Sequence, residues 1–377
     1  MIASSDAPSK PEVGSSSSRG WWSLIGWSLF GLLLQVTGSA AAVTINHYQV
    51  PHPYPGPAGI AAGPDGNVWF TEAFASKVAK VSPSGVITEF ALPTSDSTPY
   101  DIVTGPDGNL WCTERLGNKI ARITPAGIVT EYPIPTSGSQ PKGIVAGSDG
   151  HLWFLESGAR NAASITPSGV ITEFPVPWAE TLYQIAAGAD GNLWFSTQDE
   201  ASPGAGSIGR LTPTGAFTRF PLSLFAPGYI TAGPDGALWF TGFAALGRMS
   251  ITGAVTSLPI VPPLADGSFP SDVTAGPDGH LWFNGFTPRP GGISTWVARM
   301  TLDGRISQFP TFVASRITTG PDGNVWFTTG DGVCQIVMAT VPSDEGEGVA
   351  TLSPLGMALF VLVVGLFGWT FLSPTLG

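Results

Sequence analysis

One nine-residue phrase returns seven times along the chain, in the form Gly-Pro-Asp-Gly-Asn-(Val/Leu)-Trp-Phe-Thr, as at Gly63 to Thr71. Its Asp-Gly steps, with small variations before the Asp, fall at Asp65, Asp107, Asp149, Asp190, Asp235, Asp278 and Asp322, spaced 42, 42, 41, 45, 43 and 44 residues apart. Self-similarity at such a period marks a repeat architecture. A unit this small cannot bury its own apolar face, so the copies must stack on one another.

Within one copy the pattern is β throughout. Asp-Gly pairs favour tight hairpins, and each is followed by a short run of alternating apolar and polar residues. The copy from Pro99 to Pro135 reads as four strands: Tyr100 to Thr104, Asn109 to Glu114, Lys119 to Thr124, and Gly127 to Pro135. The recurring Trp (Trp69, Trp111, Trp153, Trp194, Trp239, Trp282, Trp326) sits on the second strand, where a large ring can fill the space between adjacent sheets. Four strands per unit and seven units predict an all-β, seven-bladed β-propeller. The seventh copy stops after three strands, Ser315 to Thr319, Asn324 to Thr328 and Gly332 to Met338. Ile45 to Pro51 lines up with Ile87 to Pro93, the fourth strand of the first copy. The N-terminal strand is therefore expected to complete the last blade and remove the open edge.

The chain holds 49 Gly and 35 Pro among 377 residues, but at fixed turn positions, so they signal repeated turns and not disorder. Sixteen scattered Lys and Arg against a net charge of −11 argue against a nucleic-acid groove. Cys112 and Cys334 fall in copies 2 and 7, which are not ring neighbours, so two free, buried thiols are expected. The propeller itself, residues 43–340, is expected to be monomeric.

The ends of the chain point to export. Residues 1–42 combine Lys10 and Arg19, an apolar run from Trp21 to Val36, and a small-residue site ending Ala40-Ala41-Ala42, the layout of a signal peptide or N-terminal anchor. An acidic linker, 341–351, leads to residues 352–372, which carry no charge over 21 residues and are long enough to cross a bilayer as a helix. Thr351-Leu352-Ser353-Pro354-Leu355-Gly356 resembles bacterial C-terminal sorting tails of the Pro-Thr-Leu-Ser-x-x-Gly type, although the usual basic end is replaced by Ser373-Pro374-Thr375-Leu376-Gly377. The expectation is an extracytoplasmic protein, membrane-anchored at least transiently.

The repeat phrase from Ile60 to Glu72, with Lys77-Val-Ala-Lys-Val-Ser-Pro-Ser-Gly-Val-Ile-Thr-Glu-Phe90 after it, resembles the virginiamycin B lyase (streptogramin lyase) family from about Val43 to Met338. That resemblance implies a seven-bladed propeller. It also implies opening of a cyclic depsipeptide antibiotic by elimination, with a His base and Mg²⁺ held by two Glu. Carried over by motif, the base falls at Ser315, the first metal-binding Glu at Val313, a second His at Ser271 and the other Glu at Thr329. All four differ from the family's residues, and a serine is no proton acceptor without a base of its own. No catalytic residue and no cofactor are expected, with Mg²⁺ required only by a lyase whose site has moved.

Going round the ring, the position equivalent to the base holds Ala58, Tyr100, Lys142, Tyr183, Gly228, Ser271 and Ser315. The four His lie elsewhere, at His47, His52, His151 and His280. One asymmetry remains. After the Trp strand, copies 1 to 3 carry Glu72, Glu114 and Glu156, against Thr197, Gly242, Gly285 and Thr329 in the others. The fourth strand repeats the split, with Glu89, Glu131 and Glu173 against Arg219, Ser257, Gln308 and His47. Either these Glu are solvated consensus positions, or they form a half-ring acidic face around Tyr100, Lys142 and Tyr183 at the channel mouth, suited to a cationic or polar ligand. Three functions compete: an envelope propeller that binds a small molecule or protein without lyase chemistry, an Mg-dependent carbon–oxygen lyase with a relocated site, and a structural envelope scaffold.

Overall fold

The computed structural model describes residues 43–341 apart from 179, 200, 201, 203, 223–225, 260–267, 312 and 313. The expected leader at 1–42, almost all of the 341–351 linker and the apolar segment 352–372 lie outside the described residues. Among the described residues no helix is long and apolar enough to cross a membrane.

Among the described residues, twenty-eight strands form seven four-stranded antiparallel sheets. Six are runs of four consecutive strands, blade 2 for example being Pro99–Thr104, Leu110–Glu114, Lys119–Ile123 and Val129–Pro133. The seventh joins Ile317–Thr319, Val325–Thr328 and Gly332–Ile336 to the N-terminal strand Ile45–Gln49, paired from Ile45 opposite Ile336 to Gln49 opposite Gly332. Each blade's inner strand packs beside the next, and that of blade 7 beside that of blade 1. The ring is closed as the sequence predicts.

The repeated phrase builds one buried unit per blade. In blade 1, Gly66 at φ +77 completes the Asp-Gly turn, and Asp65 Oδ1 accepts the Asn67 amide at 3.3 Å and the Trp69 indole N–H at 2.9 Å. The Trp69 ring is fully buried and stacks at 5.4 Å on Phe90 of the outer strand. A Cβ on Gly63 would lie 2.3 Å from that ring, so the phrase must open on glycine. The closing strand repeats the arrangement across the ends of the chain. Tyr48 stacks at 5.6 Å on Trp326, and its ring lies against Gly85 of blade 1, as Phe90 lies against Gly127 of blade 2.

Cys112 and Cys334 are both free and buried, as expected, and burial pushes the Cys334 thiol up to about 12. Asp107 holds the Trp111 indole at 3.0 Å. Replacing Asp107 by Ala leaves that buried N–H without an acceptor, for an expected loss of ~1–3 kcal/mol. Urea unfolding of the Asp107→Ala variant beside Asp107→Asn, which keeps an acceptor and should lose less, checks this.

Candidate functional site

The inner strands that line the channel share a local irregularity. In blade 2 the register shifts between Pro99 and Ile102, leaving Tyr100 and Asp101 without cross-strand partners, and blades 1, 3, 4 and 6 shift at the same place. In blades 1 to 3 two successive residues are thus released from the ladder, whereas in blades 4 and 6 only the first is, Tyr183 or Ser271, and the second, Gln184 or Asp272, stays paired. The level of the second is fixed by a recurring bond. The backbone N–H groups of Gly59, Asp101, Gln184, Tyr229, Asp272 and Arg316 each donate to a Thr, Ser or Asn side chain of the neighbouring strand, at 2.9 to 3.2 Å.

Around the start of these strands the structure gathers the three mouth residues expected from sequence, and adds two. Lys142 Nζ sits 5.4 Å from the centre of the Tyr183 ring. Tyr183 meets Tyr229 edge-on at 5.2 Å, and the Tyr229 hydroxyl lies 3.3 Å from that of Tyr100. The Arg316 guanidinium lies 4.1 Å from the Tyr229 ring centre and 5.3 Å from that of Tyr100, a cation held on aromatic faces. Burial, reinforced by nearby Arg115, lowers the Lys142 ammonium below its ordinary value, and burial raises the Tyr183 and Tyr229 phenols.

Below the mouth is a cavity of about 150 Å³, with polar walls from Asp101, Gln184, Asp272 and Arg316. Asp101 Oδ1 accepts the Ile102 amide at 3.1 Å, and its Oδ2 accepts the Ile144 amide of blade 3 at 3.3 Å and Gln184 Nε2 at 3.0 Å. Asp272 does likewise with the Val273 amide at 2.8 Å and the Ile317 amide of blade 7 at 3.1 Å. Both carboxylates therefore tie neighbouring blades together. Burial pushes Asp272 up to about 6. Burial opposes the charge of Arg316, but Tyr229, Asp101 and Asp272 outweigh it and keep the guanidinium cationic.

Glu72, Glu114 and Glu156 do not form an acidic face. All three are fully buried at the outlet ends of their second strands, inside their blades. For Glu114 the physical reason is the turn that follows: a Cβ on Gly117 would come 2.7 Å from Glu114 Oε2, so the turn lies directly over the carboxyl. Burial, with Glu89 beside it, pushes Glu72 up to about 8, and burial with Glu131 does the same for Glu114. Glu156 is raised by burial to about 7 despite the Asn161 amide donating to it at 2.9 Å. Enclosed in their blades, the three carboxyls cannot serve as an anionic rim, and Glu72 and Glu114 keep their protons at neutral pH.

Two of the outer-strand Glu, Glu131 and Glu173, are joints between blades, while Glu89 pairs with Lys77 of its own blade at 3.3 Å. Glu131 accepts the Thr94 amide at 2.8 Å, the Thr94 hydroxyl at 2.7 Å and Lys119 Nζ at 2.5 Å. Glu173 accepts the Thr136 amide at 2.9 Å and its hydroxyl at 3.0 Å. Blade 4 reaches the same end differently, with buried Glu180 accepting from Thr197, from Ser207 at 2.8 Å and from Arg219. Thr197 and Arg219 thus replace two Glu because the carboxyl has moved to the incoming loop.

Of the positions that the resemblance assigns to base and metal, Ser315 is exposed, with its amide donating to Thr328 at 2.9 Å, and Ser271 is half-buried. Thr329 is buried and donates its hydroxyl to Asp331 at 3.1 Å, while Val313 lies outside the described residues. His47 lies on the outer strand of blade 7, 3.2 Å from Asp331, and His151 and His280 occupy turns at the far ends of the inner strands from Tyr100 and Lys142. Among the described residues no three His, Cys, Asp or Glu converge to hold a metal ion.

Comparison with known proteins places this arrangement in a family. The Virginiamycin B lyase family model matches residues 35–204 and 179–340. A streptogramin B lyase structure superposes with a TM-score of 0.70 at 32% identity, covering 78% of this chain and 97% of that one. Virginiamycin B lyase from Staphylococcus aureus gives 0.69 at 31%, covering 79% and 100%, and its catalytically inactive form with quinupristin gives 0.69 at 30%, with the same coverage. The curated virginiamycin B lyase of Saccharopolyspora erythraea is 44% identical over 50 residues, a stretch that spans 13% of this chain and only 17% of that protein. The chain belongs to the virginiamycin B lyase family.

Proposed function

We propose that this propeller binds a cyclic peptide ligand of the streptogramin type at the channel mouth and leaves it intact. The observation that carries this is the mutual contact of Tyr100, Tyr183, Tyr229 and Lys142 around the mouth, with Ser271, Ser315 and Thr329 at the positions where the family resemblance expects base and metal ligands. Tyrosine rings offer large, stiff surface at low entropic cost, and a part-desolvated ammonium adds a donor for ligand carbonyls. Binding of quinupristin to a relative supports the ligand class. Residues 1–42 and 352–372 support export and attachment to an envelope membrane, with the mouth available to extracytoplasmic compounds.

Calorimetric titration of residues 43–341 with quinupristin, without added metal, tests the binding. Micromolar affinity is expected in the parent, with about a tenfold loss, ~1.4 kcal/mol, in each of Lys142→Ala and Tyr183→Ala. Equal affinity in parent and both variants contradicts the assignment of the mouth. A scaffold would show no binding at all.

A further inference from the structure

The cavity beneath the mouth contains two polar atoms that the fold leaves unused. Arg316 Nη2 and Gln184 Oε1 are both enclosed and have no hydrogen-bond partner, and their residues are 6% and 9% exposed. Asp101 Oδ1 stands 3.8 Å from Arg316 Nη2, too far for a hydrogen bond. The two carboxylates of the wall are already supplied, since Asp101 and Asp272 each receive backbone amides from two blades, and the Thr274 hydroxyl belongs to a half-buried residue. What remains is one unsatisfied donor and one unsatisfied acceptor in the same space, each costly to bury alone. The space of about 150 Å³ is roughly ten times what one water needs, so it admits a small organic group.

We propose that this channel is a subsite for one neutral amide group of the ligand, its carbonyl accepting from Arg316 Nη2 and its N–H donating to Gln184 Oε1. The charge already present selects this chemistry. A carboxylate or phosphate would add a further anion beside Asp101 and Asp272 with one guanidinium to share. An ammonium would be placed against Arg316, and it would find both carboxylates already supplied with donors. A peptide or carboxamide group brings one acceptor and one donor with no charge, which matches the two unused atoms. The subsite rests on the mouth reading above, because the rest of the ligand would lie on the tyrosines.

Small probes separate the two. Saturation-transfer NMR with N-methylacetamide and piperazine-2,5-dione, against acetate and methylammonium, should show transfer to the two amides and none to the ions. Gln184→Met, which keeps size and removes the acceptor, should weaken the amides at least tenfold with the thermal midpoint retained, whereas Lys142→Ala should leave them unchanged while weakening quinupristin. If Gln184→Met unfolds, the preference of the parent for N-methylacetamide over acetate decides alone. Equal transfer to amides and ions, or a crystal soaked in piperazine-2,5-dione that shows ordered water only in the channel, overturns the subsite. The quinupristin titration reads the mouth independently of either result.

Discussion

Deleting residues 43–51 is expected to destabilise the propeller by at least about 4 kcal/mol and to make one of its two thiols reactive. The deletion removes the whole outer strand of blade 7, whose five residues pair with Gly332–Ile336, and with it the Tyr48 ring stacked on Trp326. Loss of a core aromatic costs ~3–5 kcal/mol; Tyr48 is half-buried, and its stack together with the five-residue ladder is expected to reach that range. Val333, Cys334 and Ile336, all fully buried, would then form an open edge. Cys334 should react with a thiol reagent under native conditions in the truncated protein, while Cys112 in blade 2 stays protected, and neither should react in the parent. A truncated chain with an unchanged midpoint and two silent thiols would contradict closure by this strand.

Stability is expected to fall as pH rises from about 4.5 to about 8, an unusual direction for an acidic protein, and Glu114→Gln should remove part of the fall. Glu72 and Glu114 ionise near 8 and Glu156 near 7 when folded, against an ordinary value of 4.5. Between those limits the unfolded chain loses protons that the folded chain keeps, so folding is disfavoured by up to ~1.4 kcal/mol per pH unit for each such group. Below 4.5 both states are protonated and this penalty is absent. Asp272, raised to about 6, acts in the same sense. The turn aspartates Asp65, Asp107, Asp190, Asp235 and Asp322 act oppositely. Burial tends to raise them, but hydrogen bonds from the turn and the Trp ring hold them below the usual range, so their contribution is lost as pH falls through the acid range. Chemical denaturation from pH 3 to 9 should therefore show a maximum near pH 5. Glu114→Gln should match the parent at pH 4.5 and gain up to ~4 kcal/mol at pH 8, and a variant no better at pH 8 would mean that the carboxyl is solvated.

The fold was legible because the constraints are periodic. Each Asp-Gly-x-x-Trp unit closes its own hydrogen bond, as at Asp65 and Trp69, so seven copies announce seven blades, and the orphaned strand Ile45–Gln49 announces the seam. The mouth was legible in part. Tyr100, Lys142 and Tyr183 stood out at one repeat position, but Tyr229 and Arg316 sit one residue further along, just before the inner strands Ile230–Ala232 and Ile317–Thr319. Their signal was present in the next column of the repeat, where Asp101, Asp272 and Arg316 replace Gly59 and Gly143. The acidic triad misled because whether Glu72, Glu114 and Glu156 are solvated depends on how the next turn folds back, a three-dimensional fact with no local signature. The exchange of two Glu for Glu180 with Thr197 and Arg219 in blade 4 reads in sequence as lost consensus, and only the contacts show it as a relocated joint.

Binding without chemistry is tested most directly by incubating residues 43–341 with quinupristin and Mg²⁺ and following the ring by chromatography with fragmentation, since elimination within a ring leaves the mass unchanged. Intact quinupristin after prolonged incubation, from protein that binds it, is the expected result. Ring-opened product that forms with Mg²⁺ and ceases with a chelator would instead establish a carbon–oxygen lyase of the family type, working from residues other than Ser271, Ser315 and Thr329.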